Sequence, residues 1–348
     1  MIRLFLVGFG NVGRELARLL KDRSSPFTDF NTRHFSVTSI ATRSHGSLSA
    51  AEGIDVQKAL NYFLQKGRFD RGCDGFTNAA TDELLQHTDY DVLVDLSALE
   101  LKDFARSSAQ RLERALRAGK HVVTANKGPI AFHYQKLKTL AQKQQRKLLF
   151  ESTVMDGTPI FNMYRAALAG ATVKQFSGIL NSTTNFLLGE LESGVELPAA
   201  LDKARRLGMV EADANHDLQG WDAALKSAIL CNVFFDTQID PFQIPRDSFE
   251  RITPEDVQKA KKAGKRLKFV AGGSHENGQI KAWVKLQVLK ADHPFFSVDA
   301  SSSILQIELK NLATLTIVQR HPTITDTAYG VISDLLQILK IYKERKTQ

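Results

Sequence analysis

The stretch that most restricts the fold opens the chain. Ile2-Arg3-Leu4-Phe5-Leu6-Val7 is a short apolar run, and Gly8-Phe9-Gly10-Asn11-Val12-Gly13 follows at once. Arg14-Glu15-Leu16-Ala17-Arg18-Leu19-Leu20 then places leucines and alanine at helical spacing. Strand, glycine turn and helix in that order are the context in which G-x-G-x-x-G carries meaning. Gly8 permits the tight turn, Gly10 lets backbone approach a pyrophosphate, and Gly13 allows close helix–strand packing. Asn11 and Val12 open the helix, whose N-terminal amides and dipole favour phosphate charge. The spacing predicts dinucleotide binding by Gly8, Gly10, Asn11, Val12 and Gly13.

Alternation continues beyond the turn. Ser36–Ala41, Asp91–Leu96, His121–Thr124 and Lys147–Glu151 read as strands, with helices over 104–118 and 134–145. Such alternation implies a parallel sheet with ligands at the carboxyl ends of its strands. After about residue 151 the pattern changes. Ile280–Val288 alternates strictly, as half-buried strands do, and Ser303–Leu309 and Thr314–Val318 read as its neighbours. The expectation is an α/β chain: a Rossmann domain over residues 1–150, closed by a C-terminal helix over 322–348. An α+β domain with a mixed sheet, over 151–321, would serve catalysis and dimerisation.

Composition narrows the function. At 348 residues, 43% apolar and 24% charged, the chain has room for two domains with ordinary cores. No apolar run approaches the length of a membrane span, and Met1 leads straight into a strand, so no membrane and no secretory signal are expected. Cys73 and Cys231 are too few for a disulfide framework, consistent with reduced thiols in the cytoplasm. The net charge of +8 is spread over many helices among acids, with no groove-reading motif, which argues against nucleic acid.

Chemistry concentrates between Glu211 and Lys226, a stretch holding Glu211, Asp213, Asp217, Asp222 and one lysine. Asp222 and Lys226 are four apart and share a helix face, acid first. A surface pair at that spacing contributes little, so stability alone does not explain so dense a cluster. One proton-handling lysine among carboxylates that anchor a positive substrate group would look like this; a plain helix-face salt bridge is the alternative. Near the end of the second strand, Ala41-Thr42-Arg43-Ser44-His45-Gly46 has no acid to bind ribose hydroxyls. Arg43 is therefore the candidate for a 2′-phosphate, which favours NADP with NAD as the alternative.

These motifs together identify a family. The chain resembles homoserine dehydrogenases along almost its whole length. The carriers are GFGNVG at 8–13, TANKGP at 124–129, ESTV at 151–154 leading to GTPI at 157–160, GILNSTTNFL at 178–187 and GWDAALK at 220–226. The resemblance implies NAD(P)-dependent interconversion of L-homoserine and L-aspartate 4-semialdehyde, on the way to threonine, methionine and isoleucine, by a homodimer. It implies Lys226 as the acid/base residue, Asp222 as its partner and Lys127 as a second lysine near cofactor and reacting hydroxyl. Glu211 and Asp217 become anchors for the substrate amino group, Thr183 a binder of the substrate's polar end and Ser97 a cofactor contact. Glu151 and Val154 become part of a monovalent cation site (Na⁺ or K⁺) built largely on backbone oxygens. Because the sequence stops just after its closing helix, no C-terminal regulatory amino-acid-binding module and no threonine feedback through one are expected.

Four departures from the family pattern stand out. Met209 replaces a tyrosine two residues before the signature's glutamate, Ser182 a glycine, and Ala214 a proline. Val318-Gln319-Arg320-His321-Pro322-Thr323 replaces a glycine-rich turn. They leave open a related dehydrogenase acting on another small hydroxy or aldehyde acid, and a non-catalytic NADP-binding regulator.

Overall fold

The computed structural model describes residues 1–21, 34–101, 103–207, 209 and 215–347. Two compact units emerge, residues 1–163 with 323–348, and residues 164–322. The first runs β1 (Ile2–Val7), α1 (Asn11–Lys21), β2 (Phe35–Ala41), β3 (Ser47–Ser49), α2 (Val56–Lys66), β4 (Phe76–Thr77) and α3 (Thr81–His87). It continues through β5 (Val92–Asp95), α4 (Arg106–Arg117), β6 (His121–Thr124), α5 (Lys127–Lys143) and β7 (Leu148–Leu149) to α6 (Ile160–Ala166). The second has β8 (Val173–Ile179), α7 (Ser182–Glu192), α8 (Leu197–Arg206), α9 (Asn215–Leu218), α10 (Trp221–Phe234) and α11 (Pro254–Lys262). Strands β9 (Arg266–Glu276), β10 (Gln279–Leu289), β11 (Ser303–Leu309) and β12 (Leu315–Gln319) follow, before α12 (Ile324–Thr347) returns to the first unit.

The first sheet has the order β4-β3-β2-β1-β5-β6-β7, parallel from β2 to β7, with β3 and β4 antiparallel at one edge. Alternation along β1 explains how both faces are covered. Ile2, Leu4 and Leu6 point into one core with Leu16 and Leu19 of α1 and Val331, Leu335 and Ile338 of α12. Phe5 and Val7 point into the other with Leu93, Leu112, Val122 and Leu137. A strand buried on both faces has to be apolar throughout, as this one nearly is. Thr325 Oγ1 donates to Glu15 Oε1 at 2.6 Å, fixing the start of α12 beside α1. The strand order reverses between β1 and β5, the switch point at which this architecture receives ligands.

The second sheet, β10-β9-β8-β11-β12, is antiparallel throughout. Of the antiparallel or mixed pairing that one-sided burial allows, the strands take the antiparallel one, and the parallel contact in this unit is an isolated bridge between Arg246 and Val284. β9–β10 and β11–β12 are consecutive in sequence and pair directly, whereas α7 to α11 fill the connection between β8 and β9. Phe176 and Gly273 face α10, where a Cβ on Gly273 would come within 2.5 Å of the Cys231 sulfur. Among the described residues no helix is long and apolar enough to cross a membrane.

Candidate active site

The first group of expected residues lies at the carboxyl ends of β1, β5 and β6. Gly8 has φ +98°, and a Cβ there would sit 2.5 Å from the Leu96 carbonyl oxygen. Only glycine allows so close an approach. A Cβ on Gly13 would lie 2.8 Å from the Gly8 carbonyl oxygen, so helix and turn are packed as tightly as the motif implies. At Gly10 nothing lies within 4 Å of such a Cβ. A closed turn with open space above its middle glycine, at the start of α1, fits a pyrophosphate. Asn11 and Val12 form the first turn of α1, and Asn11 Oδ1 accepts from Arg14 Nη2 at 2.6 Å.

Ser97 is a hub. Its hydroxyl donates to Asp95 Oδ1 at 2.6 Å and accepts from Asn126 Nδ2 at 3.1 Å and Arg111 Nη2 at 3.3 Å. Its amide also donates to Asp95 Oδ1. A hydroxyl has one donor and two acceptor sites, so these contacts use all three. Ser97 therefore fixes the backbone beside Gly8 more than it offers its own hydroxyl to a ligand. Asp95 is wholly buried, and burial pushes its carboxyl up. Asn126 caps α5 by accepting from the Gly128 amide at 3.0 Å, which sets Lys127 as the first helical residue. Asp95, Arg111 and Asn126 were not legible as site residues, although an Asn followed by Gly and Pro is a helix-start signal.

Arg43 stands two residues past β2 and is largely exposed. Its guanidinium pairs with Glu100, in the loop after β5. Glu151 opens a short 3₁₀ turn in place of the strand expected there. Its Oε1 and Oε2 accept the amides of Phe161 and Asn162, both at 2.7 Å, so the carboxylate caps the start of α6. Val154 is buried in the same turn. Among the described residues no cluster of three or more His, Cys, Asp or Glu side chains could hold a metal. A cation at this turn would rest on backbone oxygens.

The second group is brought together around the N-termini of α7 and α10. Lys226 Nζ meets Asp222 Oδ2 at 3.0 Å, one helical turn earlier, and donates to the Leu180 carbonyl at 2.5 Å. Both side chains are 14% exposed, so the pair is largely covered rather than on the open surface. Contacts with the described residues use two of the three ammonium hydrogens. Asn181, the N-cap of α7, accepts the Thr184 amide at 2.8 Å through Oδ1. Its Nδ2 donates to Asp217 Oδ1 at 2.8 Å and Asp222 Oδ2 at 3.0 Å. One amide nitrogen thereby holds two carboxylates together. Burial, and then the Asp222 charge, push the Asp217 carboxyl up. Thr183, buried at the first turn of α7, donates to the Met209 carbonyl at 3.2 Å, and its hydroxyl also lies beside Asp217. Glu211 lies outside the described residues.

Asp217, Asp222 and Lys226 together carry one net negative charge. A half-buried site of that charge selects a cation, and the Lys226 ammonium can offer a proton to an oxygen next to it.

The comparisons with known proteins agree with this arrangement. The family model described as homoserine dehydrogenase matches residues 159–336, and that described as homoserine dehydrogenase, NAD binding domain, matches residues 8–151. An NAD(+)-dependent homoserine dehydrogenase of Pseudomonas canavaninivorans is 30% identical over 97% of this chain and 96% of its own length. The homoserine dehydrogenase of Methanocaldococcus jannaschii is 30% identical over 98% of this chain and 99% of its own. The structure of a hyperthermophilic archaeal homoserine dehydrogenase in complex with NADPH matches with a TM-score of 0.81 at 28% identity, covering 97% of this chain and 98% of that one. With family models matching both parts of the chain and relatives 30% identical along nearly its whole length, the chain belongs to the homoserine dehydrogenase family.

Proposed function

We propose that the protein interconverts L-homoserine and L-aspartate 4-semialdehyde with Lys226 as its acid/base residue. The observation that carries this reading is the junction at Asn181, which gathers Asp217 and Asp222 beside Lys226. Bound NAD(P) supplies or accepts the hydride. In the reducing direction Lys226 Nζ donates a proton to the substrate carbonyl oxygen as charge builds there; in the oxidising direction the same nitrogen takes the hydroxyl proton. Asp222 Oδ2 and the Leu180 carbonyl hold that nitrogen in place. Asp217 faces the substrate ammonium, with Glu211 as the second anchor on the strength of the sequence signature, and Thr183 orients the polar end.

In the first unit, Gly8 to Gly13 hold the pyrophosphate. Ser97 sets the adjoining backbone, and Lys127 serves the cofactor from the start of α5; its part at the reacting hydroxyl follows from the family. NADP is the preferred cofactor. Arg43 is engaged only by an exposed ion pair, which contributes little to stability, and exchanging Glu100 for a 2′-phosphate is therefore inexpensive. The relative crystallised with NADPH accords with this choice, whereas the Pseudomonas relative is named for NAD(+). An alkali cation, Na⁺ or K⁺, is assigned to the backbone oxygens of the Glu151–Val154 turn; activity unchanged when choline replaces both ions would remove it.

The working form is a homodimer in the cytoplasm, built on the face of the second sheet that carries Trp283 and Gln306. Light scattering at the monomer mass of 38.7 kDa would exclude the dimer. Cys73 and Cys231 are both buried free thiols, in keeping with a reducing compartment. Recovery of the protein with membranes or outside the cell would contradict this assignment.

The substrate reading is tested by comparing homoserine with 4-hydroxybutyrate, which keeps the hydroxyl and lacks the amine. Loss of the ammonium should lower kcat/KM by about 100-fold or more, because the half-buried Asp217 carboxylate is left without its cation. Equal use of the two compounds would show that these carboxylates do not read an amino group.

A further inference from the structure

Lys268 lies on β9 and is 1% exposed. Its Nζ donates to Asn185 Oδ1 and to the Val298 carbonyl, each at 2.6 Å, and no carboxylate of a described residue lies within ion-pair distance. An ammonium buried without a carboxylate is costly, and an apolar side chain of similar size would serve stability better. What the amine provides is direction. Asn185, 2% exposed, accepts from Lys268 through its oxygen, while its nitrogen donates to the carbonyls of Ala300 at 3.1 Å and Ser302 at 3.4 Å.

The partners of Lys268 lie on the helix that builds the active site. Asn185 is four residues after Asn181, one turn further along α7. Asn181 holds Asp217 and Asp222; Asn185 fixes the same turn of helix from within the unit. Arg266, two residues before Lys268 and therefore on the same face of β9, grips the far end of α7. It pairs with Glu192 at 2.6 Å and reaches Asp299 at 2.6 Å and the Phe296 carbonyl at 2.8 Å. Two basic residues of one strand thus tie both ends of α7 to the segment 296–302.

We propose that Lys268 is a positioning residue of the dehydrogenase site, acting through Asn185 and α7 on Asn181 and so on the spacing of Asp217, Asp222 and Lys226. It touches neither substrate nor cofactor. The proposal rests on the carboxylate–lysine cluster being the substrate site. Burial lowers the Lys268 amine to about 8. A neutral amine has two hydrogens, enough for both observed bonds, so the clamp keeps its form whether or not the group is charged.

The test is a double-mutant cycle on the full-length protein between Lys268→Met and Asn181→Ala, with kcat, homoserine KM and NADPH affinity measured separately. Lys268→Met alone should raise homoserine KM about tenfold while NADPH affinity, read by fluorescence, stays within about twofold. In the Asn181→Ala background the same change should add less than about twofold, since its route to the carboxylates is already cut. Additive effects in the two backgrounds, or an unchanged KM in the single variant, would overturn the proposal. Should Lys268→Met not fold, Lys268→Gln keeps an N–H donor at lower cost in shape and runs the same cycle. Failure of the site reading itself would look different: Lys226→Ala would then retain activity whatever Lys268 does.

Discussion

Asn181 shows how much of the site hangs on one side chain. Its amide oxygen is spent on capping α7, and that fixes which way the amide points. The nitrogen is then committed to Asp217 and Asp222, which are 36 and 41 residues further along the chain. Both acids and the lysine stand out in the sequence; the residue that joins them does not, because no spacing rule connects an asparagine to carboxylates so distant. Asp222 and Lys226 were legible for the opposite reason, since four residues on a helix fix a shared face. The raised Asp217 carboxyl has a consequence for turnover. Homoserine's ammonium requires the ionised acid, so protonation of Asp217 competes with substrate binding. Homoserine KM should therefore climb as pH falls through the Asp217 pKa, at about tenfold per unit once below it, with the onset above the ordinary aspartate range. In Asp217→Asn that limb should vanish and KM be high at every pH. A KM–pH profile identical in the two proteins would show that Asp217 is not the anchor.

At the scale of elements, the glycine turn and its flanking strand and helix were readable because period, turn chemistry and capping all agree. The first strand, predicted over Ile2–Val7, forms with those bounds. The helix predicted over 134–145 instead begins at Lys127, with His133 kinked at φ −135°. In a first turn capped by Asn126, Pro129 costs no hydrogen bond, so the helix can start ahead of it. That shift places Lys127 on a helix N-terminus beside the cofactor turn. Glu151 shows the reverse error, an apolar run read as strand whose last residue turns away to cap α6. In the loop after β2 no acid stands, and Arg43 reaches across to Glu100. Arg43→Ala should weaken NADP about tenfold while leaving NAD within about twofold, because only NADP carries the 2′-phosphate. A parallel loss for both cofactors would assign Arg43 to fold rather than selectivity.

For the whole molecule, the two units differ in what they present. The first presents a glycine turn with an open centre above a doubly wound parallel core. The second presents acids and a lysine on helices pinned to an antiparallel sheet. The family was legible in the order of motifs. The pairing of the second sheet was not, because strict alternation reports one-sided burial without reporting strand direction. Arg320 and His321, which stand where relatives were expected to carry glycine, are exposed, and His321 takes φ +47°. The residue change thus keeps the left-handed backbone that a glycine would have supplied.

The central claim is that the ammonium of Lys226 transfers the proton. It is tested by the kcat of Lys226→Ala for NADP-dependent homoserine oxidation, in protein shown by fluorescence to bind NADPH normally. A fall of about 100- to 10 000-fold is expected from loss of a positioned acid/base group. A kcat within about threefold of the unsubstituted protein would contradict the assignment.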